Sequence, residues 1–161
     1  MTTPFRGRFQ CKVDQKGRMS MPKAYSEILP ATEKSSHNLV VTNSLFQGKK
    51  CLDVYTMEEW QKLEQKISRM PALKKEVQAY QRFYLSSGQP ISADAQGRIV
   101  IPSSLRQYAG LKDEVSLVGM GHKFEVWAGD LWTDLFEDLT ESYEDVLSAV
   151  ADLEEKLGEE S

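Results

Sequence analysis

The chain has 161 residues, 40% hydrophobic and 27% charged, with a formal net charge of −4. That balance fits an ordinary globular fold; no apolar run approaches the roughly 18–20 residues needed to cross a bilayer, and MTTPFRGRFQ lacks the h-region of a secretory signal. A cytoplasmic location is expected, with Cys11 and Cys51, which lack CxxC spacing, as free thiols.

In chain order, RFQCKVD and RMSM read as short strands joined by a glycine turn, as in a hairpin. Pro22 ends the second strand and suits the first turn of a helix over KAYSEIL. A longer loop around PATEKSSHN leads to the apolar run NLVVT and then LDVYTMEEW. Met57, Trp60, Leu63, Ile67 and Met70 form a helical stripe that Pro71 breaks, and Leu73, Val77, Tyr80 and Tyr84 form a second. QPISAD and RIVIP repeat the strand–turn–strand pattern, SSLRQYAGL the helix, and EVSLVGMGHKFEVWA a hairpin with Gly119 and Gly121 flanking its turn. The tail carries an apolar stripe from Trp132 to Leu157, with Thr140 placed to restart the helix as an N-cap and Gly158 to end it. Its other face is acidic, which leaves open a role as a partner helix.

These elements repeat. VDQKGRMSMP (13–22) and ADAQGRIVIP (93–102) match at Asp14/Asp94, Gly17/Gly97, Arg18/Arg98 and Pro22/Pro102. Further on, Val54 aligns with Val126 and Trp60 with Trp132, the offset falling from 80 to 72 because the first copy has the longer loop. A tandem duplication with internal pseudo-twofold symmetry is the reading, in a β-rich α+β fold. The divisions are a first repeat with its helix at 1–70, a helical connector at 71–82, a second repeat at 83–132 and an acidic helical tail at 133–161.

Charge is distributed unevenly. Residues 1–50 hold nine Lys/Arg against three Asp/Glu, 51–123 ten against eight, and 124–161 one against thirteen. An acidic sum therefore does not exclude an anionic partner, because local field matters more.

Catalysis has little support: there is no G-x-S-x-G elbow, and GMGHKF lacks the third glycine of a phosphate loop. His37 and His122 have no His or Cys at ligand spacing, so neither a metal site nor a cofactor is expected. What remains is the doubled Asp-x-x-Gly-Arg turn. Asp14 and Asp94 can accept from backbone N–H groups just ahead, and Gly17 and Gly97 can take positive φ. The arginines can pair with those aspartates. Turn geometry alone does not require Arg after both glycines, however, and arginine offers a fork for phosphate or guanine. Arg6, Arg8, Lys12, Lys16 and Lys23 surround the first loop; Arg98 and Arg106 mark the second. DNA is the obvious anionic polymer.

Together FRGRFQCKVDQKGRMSMP, ADAQGRIVIPSSLRQYAGL and EVSLVGMGHKFEVW resemble the MraZ family, over roughly residues 5–132. The resemblance implies a bacterial transcriptional regulator of the division and cell-wall gene cluster. It also implies two intertwined AbrB-like swapped-hairpin modules and ring-like homo-oligomers. Binding to direct repeats in the promoter of its own operon, and a nucleoid-associated location, follow from it too. Carried onto this chain, Arg18 and Arg98 contact DNA, Asp14, Gly17, Asp94 and Gly97 orient the loops, and Lys16, Arg6 and Arg8 add charge. Lys16 answers to the neutral Gln96, so the copies are unequal. No membrane, small-molecule substrate or enzymatic turnover is expected. The alternatives are an AbrB-type antitoxin and an oligomeric scaffold that binds protein instead of DNA.

Overall fold

A computed structural model of the chain describes residues 4–29 and 37–160. Residues 30–36, most of the long loop around PATEKSSHN, lie outside the described residues. The fold is α+β. Its strands are β1 (Arg8–Lys12), β2 (Arg18–Ser20), β3 (Leu39–Phe46), β4 (Lys49–Thr56), β5 (Gln89–Ile91), β6 (Arg98–Val100), β7 (Glu114–Gly119) and β8 (Phe124–Ala128). Helices are α1 (Lys23–Ser26), α2 (Met57–Ser68), α3 (Lys75–Tyr80) with a π-helical turn over Gln81–Leu85, α4 (Ser103–Ala109) and α5 (Gly129–Glu160).

Six strands form an antiparallel sheet in the order β1-β7-β8-β4-β3-β5, and β2 pairs with β6 in a separate two-stranded ribbon. Exchanging the copies (β1 for β5, β3 for β7, β4 for β8) reverses the sheet order onto itself. The pseudo-twofold axis therefore passes between β4 and β8, where Asp53 stands opposite Glu125, and through the ribbon, where Met19 stands opposite Ile99. Buried residues follow the same rule. Val13 and Ala93, Met21 and Ile101, Tyr25 and Leu105, Val41 and Leu117, and Val54 and Val126 all enter one shared core.

The turns after β1 and β5 form as the sequence indicates, but the strands flanking each turn do not pair with one another. β1 pairs with β7 of the second copy, β5 with β3 of the first, and β2 with β6. A three-residue hairpin standing alone would bury little and be marginal. Pairing across copies instead buries Met19 and Ile99 on the inner side of the ribbon while its outer side stays exposed. The hairpins β3–β4 and β7–β8 do form locally. In the former, Gln47 and Gly48 both have positive φ, as a two-residue hairpin turn of matching twist requires.

α2 opens on Thr56, whose Oγ1 accepts from the Glu59 N–H at 3.2 Å, and ends before Pro71. Its Trp60 packs with Val40, Tyr55 and Tyr84 in a second buried cluster. The expected stripe beginning at Leu73 is only partly realised: Leu73 precedes α3 and is exposed, whereas Tyr84 is buried. α4 closes on Gly110 in the left-handed region.

α5 forms a unit by itself and is one unbroken helix. Thr140 does not restart it. Its hydroxyl donates to the Phe136 carbonyl at 2.8 Å, a partner available inside a helix, so no break is needed. Gly158 lies within the helix instead of ending it. No helix among the described residues is long and apolar enough to cross a membrane.

Gly17 and Gly97, inside the two turns, are both close points of approach. Both have positive φ, and a Cβ on Gly17 would sit 2.6 Å from the Ile101 carbonyl oxygen, whereas one on Gly97 would lie 2.9 Å from the Ser26 Cβ. Alanine at either position should cost at least about 1–2 kcal/mol for the left-handed backbone alone. Gly17→Ala should cost more, because its obstacle is backbone. Urea denaturation of the two variants checks the order; equal or negligible losses would contradict the close approach.

Candidate nucleic-acid interface

Each Asp-x-x-Gly-Arg turn is held by the same set of bonds. Asp14 Oδ1 accepts from the Lys16 N–H at 2.9 Å and the Arg18 N–H at 3.0 Å, and Asp94 Oδ1 accepts from Gln96 and Arg98 at the same distances. The other carboxylate oxygen takes the arginine Nε, at 2.6 Å for Arg18 and 2.7 Å for Arg98. A carboxylate two to four residues upstream thus fixes both the backbone and the root of the guanidinium. The arginine side chains remain 61% and 62% exposed.

The ribbon register sets where those arginines stand. Arg18 lies opposite Val100 and Arg98 opposite Ser20. Successive side chains alternate faces, so Arg18, Ser20, Arg98 and Val100 share the outer face, while Met19 and Ile99 point inward. The two arginines occupy diagonal positions, about 7–8 Å apart at the backbone. Asp14, Asp94, Lys12 and Ser20 also border the groove that runs past them.

The copies are not equivalent. Arg106, which the sequence order assigns to the second motif, donates from Nη1 to the Gln15 carbonyl of the first turn at 3.1 Å. Exchange of strands between copies brings α4 against the opposite turn. Ser26 takes the matching place beside Gly97. The first turn therefore carries Arg18, the exposed Lys16 and the bracing Arg106, whereas Arg98 in the second bonds the neutral Gln96 through Nη2 at 3.1 Å.

Arg6 and Arg8 are exposed but stand at the other end of β1, beside the β7–β8 turn: Arg8 lies opposite Val118, and Phe5 bridges to Gly121. Asp14 lies six residue steps of extended chain beyond Arg8, or about 20 Å. The structure brings Arg18, Arg98 and Lys16 to one region and does not bring Arg6 or Arg8 to it. Sequence order hid the bracing role of Arg106, because it depends on a contact 91 residues apart.

Among the described residues, one cluster offers metal-ligand chemistry. Cys51, Asp53 and Glu125 bring a thiol and two carboxylates within 4.8 Å of one another. Lys123 Nζ already sits 2.8 Å from Asp53 Oδ2, which also accepts from the Tyr84 hydroxyl, and Trp127 Nε1 donates to Glu125 Oε1. Burial raises the Cys51 and Glu125 pKa values, favouring their protonated forms. Asp53 Oδ1 is buried without a partner, yet most of the donor set is spent on protein. The geometry is that of a buried ion pair.

The family model described as "MraZ protein, putative antitoxin-like" matches residues 5–83 and 86–152, one segment for each Asp-x-x-Gly-Arg turn. The chain belongs to the MraZ family. MraZ proteins are regulator-like and not a known enzyme family, and two tandem segments fit the duplication seen in the sheet. The solution structure of PHS018 from Pyrococcus horikoshii shows 13% identity and a TM-score of 0.35, covering 76% of this chain and 95% of that one. A likeness that weak carries no argument.

Hydrogen bonds to the ionised form hold the Asp14 and Asp94 carboxyls below their ordinary pKa of 3.8, the largest cause at each being the following arginine's backbone N–H. A depressed folded value means this stabilisation is complete above the unfolded pKa and is lost as pH falls through the folded one. Carboxyl carbon shifts followed by NMR should give midpoints below 3.8 for both residues. Midpoints at or above that value would contradict the turn geometry.

Proposed function

We propose that the chain is a DNA-binding transcriptional regulator that docks the outer face of the β2–β6 ribbon on double-stranded DNA. The observation that carries this is the common exposed face of Arg18 and Arg98, each pinned by an identical aspartate. A two-stranded ribbon fits the major groove of about 12 Å, and an arginine fork there pairs with guanine O6 and N7. Tethering Nε to the carboxylate reduces the ordering that binding must impose and turns the Nη edge of each arginine toward the base, Arg98 exchanging its Nη2 bond to Gln96 for it. Lys16 meets phosphate beside the first turn. Arg6 and Arg8, remote from the ribbon, contribute at most to flanking backbone contacts.

The strand exchange between copies supports reading them as two AbrB-like swapped-hairpin modules. The promoter of the chain's own operon, within the division and cell-wall gene cluster, is the proposed target. Protomers of a homo-oligomer would engage its direct repeats together, so that affinity grows by effective concentration without a new kind of contact. Action on the nucleoid in the cytoplasm belongs to the same reading.

Fluorescence anisotropy on a duplex from upstream of the gene, against a scrambled duplex and across a salt series, tests it. Arg18→Ala and Arg98→Ala should each cost about 1–3 kcal/mol of discrimination, and the double variant should lose promoter preference. Lys16→Ala should weaken binding to both duplexes alike and reduce the salt slope by about one. Retained promoter preference in the double variant would remove the arginines from recognition. No preference in the unaltered chain at any salt would favour a protein-binding scaffold.

A further inference from the structure

Of the four side chains on the outer face of the ribbon, only Val100 is apolar. It lies opposite Arg18 in the register, is 50% exposed and borders the same groove as the two arginines. Packing does not call for it, because Met19 and Ile99 fill the buried side of the ribbon. Nor does the strand itself. The exchange of copies that carries Arg18 onto Arg98 carries Ser20 onto Val100, and β2 forms with the serine in that place. The outer face therefore keeps both arginines but gives them different neighbours, valine beside Arg18 and serine beside Arg98.

Side chains directly opposite in an antiparallel pair have Cβ atoms about 4.5–5.5 Å apart, close to the spacing of about 3.4 Å between successive bases. Each arginine Nε is held by the aspartate of its own turn. Neither guanidinium then stands at full length above the ribbon, so a short side chain between them shares the contact surface. Among the base edges in the major groove, only that of thymine carries a methyl group, and apolar side chains recognise it.

We propose that Val100 is a specificity-determining residue, reading the 5-methyl group of a thymine on the base pair next to the guanine taken by Arg18. This inference rests on the reading of the ribbon as the DNA-docking face. The contact is one-sided: Ser20, beside Arg98, offers a hydroxyl that hydrogen-bonds to several base edges and singles out none. With Lys16 answered by Gln96 at the turns, the apolar contact gives the pseudo-twofold ribbon a single preferred orientation on its site.

Deoxyuridine in place of thymine keeps every hydrogen-bonding group and removes only the methyl, so it isolates the contact. Fluorescence anisotropy of the full chain on the duplex from upstream of the gene, with each thymine replaced in turn, is the test. Binding should weaken by about fourfold at the thymine adjoining the guanine whose contact Arg18→Ala removes, and at no other thymine in the repeat. Val100→Ser copies the sister strand, and with it the thymine and deoxyuridine duplexes should bind alike at that position. Val100→Thr retains a branch methyl and should keep the difference. Promoter preference without a methyl-sensitive thymine, or equal sensitivity in Val100→Ser, would overturn the contact while leaving the arginines in place. No promoter preference in the unaltered chain would overturn the DNA reading and this inference with it.

Discussion

Two reciprocal hydrogen bonds set the relation between the copies: the Met21 N–H donates to the Gly97 carbonyl and the Ile101 N–H to the Gly17 carbonyl, both at 2.9 Å. Each bond runs from the strand after one turn to the glycine inside the other. Donor and acceptor approach so closely that a side chain on Gly17 would collide with the Ile101 carbonyl. Once they form, the ribbon register is fixed, Met19 and Ile99 are buried side by side, and the residues on either side must face out. Because the bonds join the first copy to the second, neither copy can close its own ribbon.

That constraint governs charge as well as packing. Turns locked across a pseudo-twofold axis present their arginines on one face with matching aspartate brackets. The symmetry is then broken by substitution, not by geometry: Lys16 against Gln96, Arg106 against Ser26. One turn is the more basic and is braced by its neighbour's helix, while the other is nearly neutral apart from its arginine. Such a pair reads as one strong and one weaker arm on a common scaffold. The buried centre of the sheet shows the same broken symmetry, with Asp53 held by Lys123 and Tyr84, and its mate Glu125 by Trp127.

Much of this was legible in the residues. The duplication, the positive φ at both glycines, the α+β class, the β7–β8 hairpin and the long helices follow from spacing and turn chemistry. What local pattern could not supply was partner choice. RFQCKVD and RMSM alternate as a hairpin would, and nothing within ten residues says that each strand pairs with the other copy. Shared burial decides it, and burial is a property of the whole chain. Arg106 was misplaced for the same reason: its sequence neighbourhood is the second motif, and its contact is with Gln15. Thr140 and Gly158 have cap chemistry, but a hydroxyl can bond within a helix, so composition alone did not mark the ends of α5.

Amide hydrogen exchange across the whole chain is the most direct test of the lock between copies. If the reciprocal bonds organise the fold, the Met21 and Ile101 amides exchange as slowly as those in the central β4–β8 pair, and Gly17→Ala speeds both together. Fast exchange at Met21 and Ile101 while β4 and β8 stay protected would contradict it. The ribbon would then be a loose appendage, and the shared face of Arg18 and Arg98 would have no fixed geometry to offer DNA.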